Sequence, residues 1–198
     1  VTKISKPNPG DTVIVTGAAG GVGSLAGQIF KIAGCKVYGI AGGKEKCEML
    51  INDFGFDGAI DYKSEDLNES LGKLCPNGAD IVYDNVGGRI LNDCLLHLAL
   101  NARIAICGII SRHKTDNMNF GPENYSNLIF KRATMQGFLM LDYVSETASA
   151  RSKMKKWIEE GKLICKEDLR EGFENAPDTL KGLFDGKNKG KQLLKIAD

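Results

Sequence analysis

The sequence predicts an α/β fold in which helices cover both faces of a parallel sheet. Short apolar, β-branched segments alternate with segments whose apolar residues recur at helical spacing, which is the rhythm of a parallel sheet with crossover helices. The first apolar segment also runs straight into a glycine-rich turn, TGAAGGVG, and then into an amphipathic stretch. With 198 residues and 42% hydrophobic content the chain can bury one substantial core, so a single domain over residues 1–198 is the expectation.

Residues 1–11 hold Pro7, Pro9, Gly10 and Asp11 and read as a lead-in loop. Val13, Ile14 and Val15 form the first buried strand. Gly20 and Gly23 allow a sharp turn into a helix over residues 21–33, where Val22, Leu25, Ala26, Ile29, Phe30 and Ala33 share one face and Gly34 sits at the C-cap. Lys36–Ala41 is the second strand, closed by Gly42 and Gly43 before a helix through Glu45, Met49 and Leu50. Residues 59–61 form a short third strand. Ser64 is the expected N-cap of a helix carrying Leu67, Leu71 and Leu74, which Pro76, Asn77 and Gly78 end.

Residues 79–83 make the fourth strand, which enters Asp84-Asn85-Val86-Gly87-Gly88 and a helix with Ile90, Leu91, Cys94, Leu95 and Leu98. Residues 103–107 are the fifth strand, ending at Gly108. The stretch 109–124 is polar and irregular, and loops of that length are usually functional or mobile. A helix near residues 125–131 and a strand over 134–139 follow, then a long helix over 147–160 stopped by Gly161. A strand near Leu163, a helix opened by Asn175-Ala176-Pro177 and a last strand over 192–196 complete the chain.

The formal charge of +1, from 26 basic and 25 acidic side chains, provides no excess field for a polyanion, so nucleic acid is not an expected partner. The six cysteines include no CxxC pair and fall mostly in apolar segments, which suggests a reducing, cytoplasmic setting. No apolar run approaches the roughly 20 residues of a membrane helix, so no membrane partner is expected. A first residue of Val1 reads as the start of an excised piece.

A glycine turn is a weak signal alone, but after a buried strand and before a helix it points to a phosphate-bearing nucleotide. Its letters fit Ala18-x-Gly20-x-x-Gly23. They also fit Thr16-Gly17-x-x-x-Gly21-x-Gly23, the turn of short-chain dehydrogenases. That class needs a tyrosine followed four residues later by a lysine that lowers the phenol's pKa. Tyr38, Tyr62, Tyr83, Tyr125 and Tyr143 are followed at that distance by Gly42, Asp66, Gly87, Ile129 and Thr147, so the class is excluded.

An NAD enzyme places an acid at the end of its second strand for the ribose hydroxyls. Here Gly42-Gly43-Lys44-Glu45-Lys46 stands there, which favours a 2′-phosphate and hence NADP(H), the plain alternative being that Lys44 and Lys46 only solvate a helix start. Tyr62 reads equally as an adenosine contact or as core. His97 reads as a structural histidine and His113, in the long loop, as a surface residue near the nicotinamide end. Two histidines and dispersed cysteines give no zinc spacing, so no metal site is expected.

The segments AAGGVGSLAGQIFKIAGCKVYGIAGGKEKC, GFDGAIDYKSED, YDNVGG, RIAICGIIS and GFENAPDTLKGLFDGKNKGKQLLKI together complete a recognisable set. The chain resembles the zinc-independent medium-chain dehydrogenase/reductases of the leukotriene B4 dehydrogenase and prostaglandin reductase family, which are Rossmann-type, doubly wound domains. The resemblance implies hydride transfer from NADPH to the β-carbon of an α,β-unsaturated ketone or aldehyde, then protonation of the enolate. It implies a 2′-phosphate site at Gly42, Gly43, Lys46 and Tyr62 and a pyrophosphate turn at Ala19, Gly20, Gly21 and Val22. It places Asn85, Cys107 and Gly108 along the cofactor and Phe138, Leu139 and Asn188 around the nicotinamide.

Where that family commonly has a loop tyrosine after its glycine-x-x-serine run, Ser111-Arg112-His113 puts an imidazole that can donate to an enolate oxygen. The resemblance further implies a preceding GroES-like substrate domain that this chain lacks, with residues 186–198 returning toward it, and a homodimer through the nucleotide-binding domain. The expectation is therefore a domain that holds NADP(H) without a complete site in which to use it. The alternatives are a quinone reductase of the same superfamily and a nucleotide-binding module without turnover.

Overall fold

The computed structural model describes residues 1–111 and 121–197. Helix α1 (Thr2–Ser5) leads into β1 (Thr12–Thr16), α2 (Gly21–Ile32), β2 (Lys36–Ala41), α3 (Lys44–Asn52), β3 (Gly58–Asp61), α4 (Leu67–Leu74) and β4 (Ala79–Asp84). Then come α5 (Gly88–Cys94), β5 (Leu98–Ile106), α6 (Asn127–Lys131), β6 (Thr134–Gly137), α7 (Thr147–Glu159), β7 (Glu167–Glu171), α8 (Ala176–Phe184) and β8 (Lys191–Lys195). Six strands form one parallel sheet in the order β3-β2-β1-β4-β5-β6, the doubly wound architecture expected. β7 and β8 make a separate parallel pair joined through α8.

Period-two alternation in β1 decides which side chain serves which face. Val13 and Val15 pack with Phe30, Val37, Leu50 and Phe56, while Ile14, between them, packs with Ile40, Ile60, Leu71 and Val82. All three are fully buried, which is why the strand reads as an unbroken apolar run. The two clusters hold the sheet between its helical layers. Strand order reverses between β1 and β4, and their carboxyl ends open a crevice there.

Several elements differ from the sequence reading. Helix α1 lies inside the segment read as a loop. Asp66 caps α4, accepting the Glu69 N–H at 2.8 Å, because the Ser64 hydroxyl is engaged with Asp61 at 2.8 Å. The helix after Gly88 stops at Cys94, and Leu98 already belongs to β5. The register between β4 and β5 shifts early, with Ala79 opposite Leu98 but Ile81 opposite Arg103, and Asn101 takes a left-handed φ of 60°. That irregular entry disguised the strand as helix. Leu163 is buried but lies outside any strand; the strand is β7, whose EDLRE sequence carries no apolar alternation. β6 ends at Gly137, short of Leu139.

Candidate nucleotide site

At the reversal point, the Thr16 hydroxyl donates to Asp84 Oδ1 at 2.6 Å and accepts the Asn85 N–H at 2.9 Å. The other Asp84 oxygen accepts the Gly87 N–H at 2.9 Å. Burial pushes the Asp84 carboxyl up in pKa, while Thr16, Gly87 and Val86 oppose that shift with hydrogen bonds. This network ties the turn after β1 to the turn after β4. Asn85 belongs to it: its side-chain amide donates to the Thr16 carbonyl at 2.7 Å.

The turn itself requires glycine. Gly17 has φ 59°, and a Cβ on Gly23 would stand 2.4 Å from the Gly17 carbonyl oxygen and 2.8 Å from Ala18 Cα. Helix α2 therefore packs directly onto the turn. It starts at Gly20 with no side-chain cap and no acid in its first turn, so the positive end of its dipole is unopposed.

Above the turn lies a cavity of about 490 Å³. Ala19, Gly20, Gly21, Val22, Gly42, Lys46, Tyr62 and Asn188 all line it, which brings together residues far apart in sequence. Gly43 does not line it; at φ 104° it starts α3 and donates its N–H to Asp61 at 2.7 Å. Cys107, Gly108, Phe138 and Leu139 instead line a second cavity of about 440 Å³ beside the ends of β5 and β6. Phe138 there meets Tyr83, and Tyr83 meets Phe30, with ring centroids 6.3 and 6.0 Å apart. His113 lies outside the described residues.

Sequence reasoning missed much of the cavity's far wall. Gly186, Gly190 and Lys191 line it, as do Val86, Ile90 and Ser111. The Gly190 N–H donates to the Ala19 carbonyl at 2.9 Å, and Gly190 bridges Gly20, so the segment before β8 lies across the glycine turn. A Cβ on Gly21 would meet Lys191 Cδ at 2.9 Å. The two glycines of GKNKGK, at φ 65° and 85°, were the legible signal.

Also lining the cavity, half-buried Lys46 donates to the Gly186 carbonyl at 2.7 Å. Burial lowers its pKa, and the Lys63 charge lowers it further, against a smaller pull from Asp168. Asp61 is the acid of this corner, and its oxygens accept from Gly43, Lys63 and Ser64. His97 lies elsewhere, paired with Asn68 Oδ1, as its structural reading expected.

Strand order, an uncapped helix behind a glycine turn and a cavity at the reversal point define a Rossmann-type nucleotide-binding domain. The chain belongs to the family described as zinc-binding dehydrogenase, which matches residues 21–158. It is 39% identical over 98% of its length to the NADPH-dependent curcumin reductase of Escherichia coli. It is 42% identical, again over 98%, to the 2-alkenal reductase (NADP(+)-dependent) of Nicotiana tabacum. The chain spans 58% and 57% of the length of these relatives. The crystal structure of CurA from Vibrio vulnificus in complex with NADPH superposes with a TM-score of 0.94 at 42% identity, covering 100% of this chain and 60% of that one.

The family description names zinc. Among the described residues, no three His, Cys, Asp or Glu side chains come together to hold a metal ion, so the residues present do not fit a zinc centre and no step is assigned to one. All six cysteines are free, and no described helix is long and apolar enough to cross a membrane.

Proposed function

We propose that this chain is the NADP(H)-binding part of an oxidoreductase that reduces the carbon-carbon double bond of α,β-unsaturated ketones or aldehydes. The observation that carries it is the cavity's polarity. The uncapped start of α2 and the Lys46 side chain both line it, and Asp61, which accepts the Gly43 N–H before α3, is already occupied by three donors. Two anionic groups are thereby favoured, one at the helix start and one at the ammonium, as in a dinucleotide with a pyrophosphate and a 2′-phosphate. The residues fit such a ligand physically: Gly21 and Gly42 line the cavity without side chains, and a Cβ on either would push Lys191, Tyr62 or Lys63 out of place.

When bound, NADPH supplies the hydride that adds to the β-carbon of the substrate. Ala19, Gly20, Gly21 and Val22 would bind the pyrophosphate, and Gly42, Gly43, Lys46 and Tyr62 the 2′-phosphate. Asn85, Cys107, Gly108, Phe138, Leu139 and Asn188 would orient the rest, and His113 would donate to the enolate oxygen. The substrate pocket would be completed by a preceding domain, consistent with the length of the relatives, and residues 186–198 would return toward it. A cytoplasmic homodimer, with no nucleic-acid or membrane partner, belongs to the same reading.

Turnover tests it. The longer protein that includes the preceding segment is assayed for NADPH oxidation with a simple enone, an alkenal and a quinone. Faster reduction of the enone and alkenal is expected. Preference for the quinone would move the chain to the quinone reductases, and NADPH binding without any turnover would leave a binding module. The names of the relatives at about 40% identity support the first outcome.

A further inference from the structure

The corner around Gly42 contains a cation that the sequence reading did not include. A Cβ placed on Gly42 would lie 2.9 Å from each of Lys63 Cε, Tyr62 Cε1 and Tyr62 Oη, so both side chains fold over the bare backbone at the end of β2. Lys46 approaches the same corner from α3 and lines the cavity with Gly42 and Tyr62. Among the described residues Lys63 makes no close ion pair, although its charge helps to hold the Asp61 carboxyl down. Its charge is close enough to weigh on Lys46, second only to burial in lowering that ammonium's pKa. Two neighbouring ammonium groups repel each other, and a dianion between them would remove that repulsion.

The start of α3, which carries Lys46, and the loop that carries Lys63 are joined by one side chain. Asp61 Oδ1 accepts the Gly43 N–H at 2.7 Å, immediately before α3, and the Lys63 N–H at 3.0 Å, immediately after Tyr62. Oδ2 accepts the Ser64 hydroxyl at 2.8 Å. Glu65 is engaged as well, accepting the Asp61 N–H at 2.9 Å and the Ser70 hydroxyl at 2.8 Å. The nearby acids thus bind the loops together and are occupied by donors.

We propose that Lys63 is a second cation of this corner, which with Lys46 selects a dinucleotide bearing a 2′-phosphate, and that Asp61 is the positioning residue that fixes the two loops. The inference rests on the NADP(H) reading above and adds to it a specificity-determining residue and its support.

The test is calorimetric titration of NADPH and of NADH into the wild type, Lys63→Gln and Asp61→Asn, with melting temperatures as a folding control. Lys63→Gln should weaken NADPH binding about tenfold, ~1.4 kcal/mol, and leave NADH binding unchanged. Asp61→Asn should lower the NADPH to NADH affinity ratio about threefold, an effect that a general loss of fold would not produce. If the wild type prefers NADPH and Lys63→Gln keeps the full preference, Lys63 is not a ligand and the inference fails while the NADP(H) reading stands. Equal weakening of both nucleotides would make Lys63 merely structural. A wild type that binds both nucleotides equally would instead remove the NADP(H) reading itself.

Discussion

The Thr16 hydroxyl donates to Asp84 Oδ1 at 2.6 Å, joining the ends of β1 and β4 where the order of the sheet reverses. Both residues are fully buried. The pair keeps a carboxylate inside the protein by surrounding it with donors, and it sets the spacing of the two turns that bound the nucleotide cavity.

Thr16→Val retains the shape of the side chain and deletes the donor. The buried Asp84 oxygen then loses its shortest hydrogen bond, and stability should fall by about 1 to 3 kcal/mol in urea denaturation. Thr16→Ser keeps the hydroxyl and should cost under about 1.5 kcal/mol, the smaller penalty of a lost methyl. Equal stability of wild type and Thr16→Val would show that the contact contributes nothing.

Gly23→Ala places a methyl group 2.4 Å from the Gly17 carbonyl oxygen, closer than real Cβ contacts come. Helix α2 must then move away from the turn. Destabilisation of about 1 to 3 kcal/mol is expected, together with loss of nucleotide binding by titration. Gly55→Ala is the contrasting case: no atom stands within 4 Å of its built Cβ, so strain from its φ of 68° lowers stability while nucleotide affinity stays at the wild-type value.

Asp61 gives a pH-dependent signature. Burial alone would raise its pKa, but the Gly43, Lys63 and Ser64 hydrogen bonds outweigh it and hold the carboxyl below its ordinary value of 3.8. A carboxyl depressed in the folded state contributes stability that is present above the unfolded value and lost as pH falls through the folded one. Acid unfolding of Asp61→Asn should therefore show a shallower loss of stability below about pH 4 than the wild type. Parallel profiles would contradict the assignment.

His113 is tested in the longer protein. Replacement by Phe should lower enone turnover by about a hundredfold if the imidazole supplies the proton, and replacement by Tyr should restore most of it. Unchanged turnover in both variants would remove His113 from the mechanism.

The parallel sheet was legible because its central strands are buried on both faces and therefore read as apolar runs, as Val13–Val15 does. The cavity floor was legible for a related reason: only glycine tolerates the packing of α2 against Gly17 and Ala18. β7 was missed because its residues face solvent and carry charge, which leaves no alternation to detect. The start of β5 was missed because Leu95 and Leu98 keep helical spacing across a helix end. The wall formed by Gly186, Gly190 and Lys191 depends on contacts across most of the chain, and local pattern does not encode which turn a distant loop will cover. Asp61 was hidden for the same reason, since the acid expected at the end of β2 is absent there and one from β3 arrives in the fold.

On the proposed reading, this domain holds a dinucleotide by its 2′-phosphate at the Lys46 corner. Titration of NADPH and NADH into the wild type and Lys46→Ala tests it most directly. Wild-type protein should bind NADPH at least about tenfold more tightly than NADH, with most of that difference lost in Lys46→Ala. Equal affinity of the wild type for the two nucleotides would contradict it.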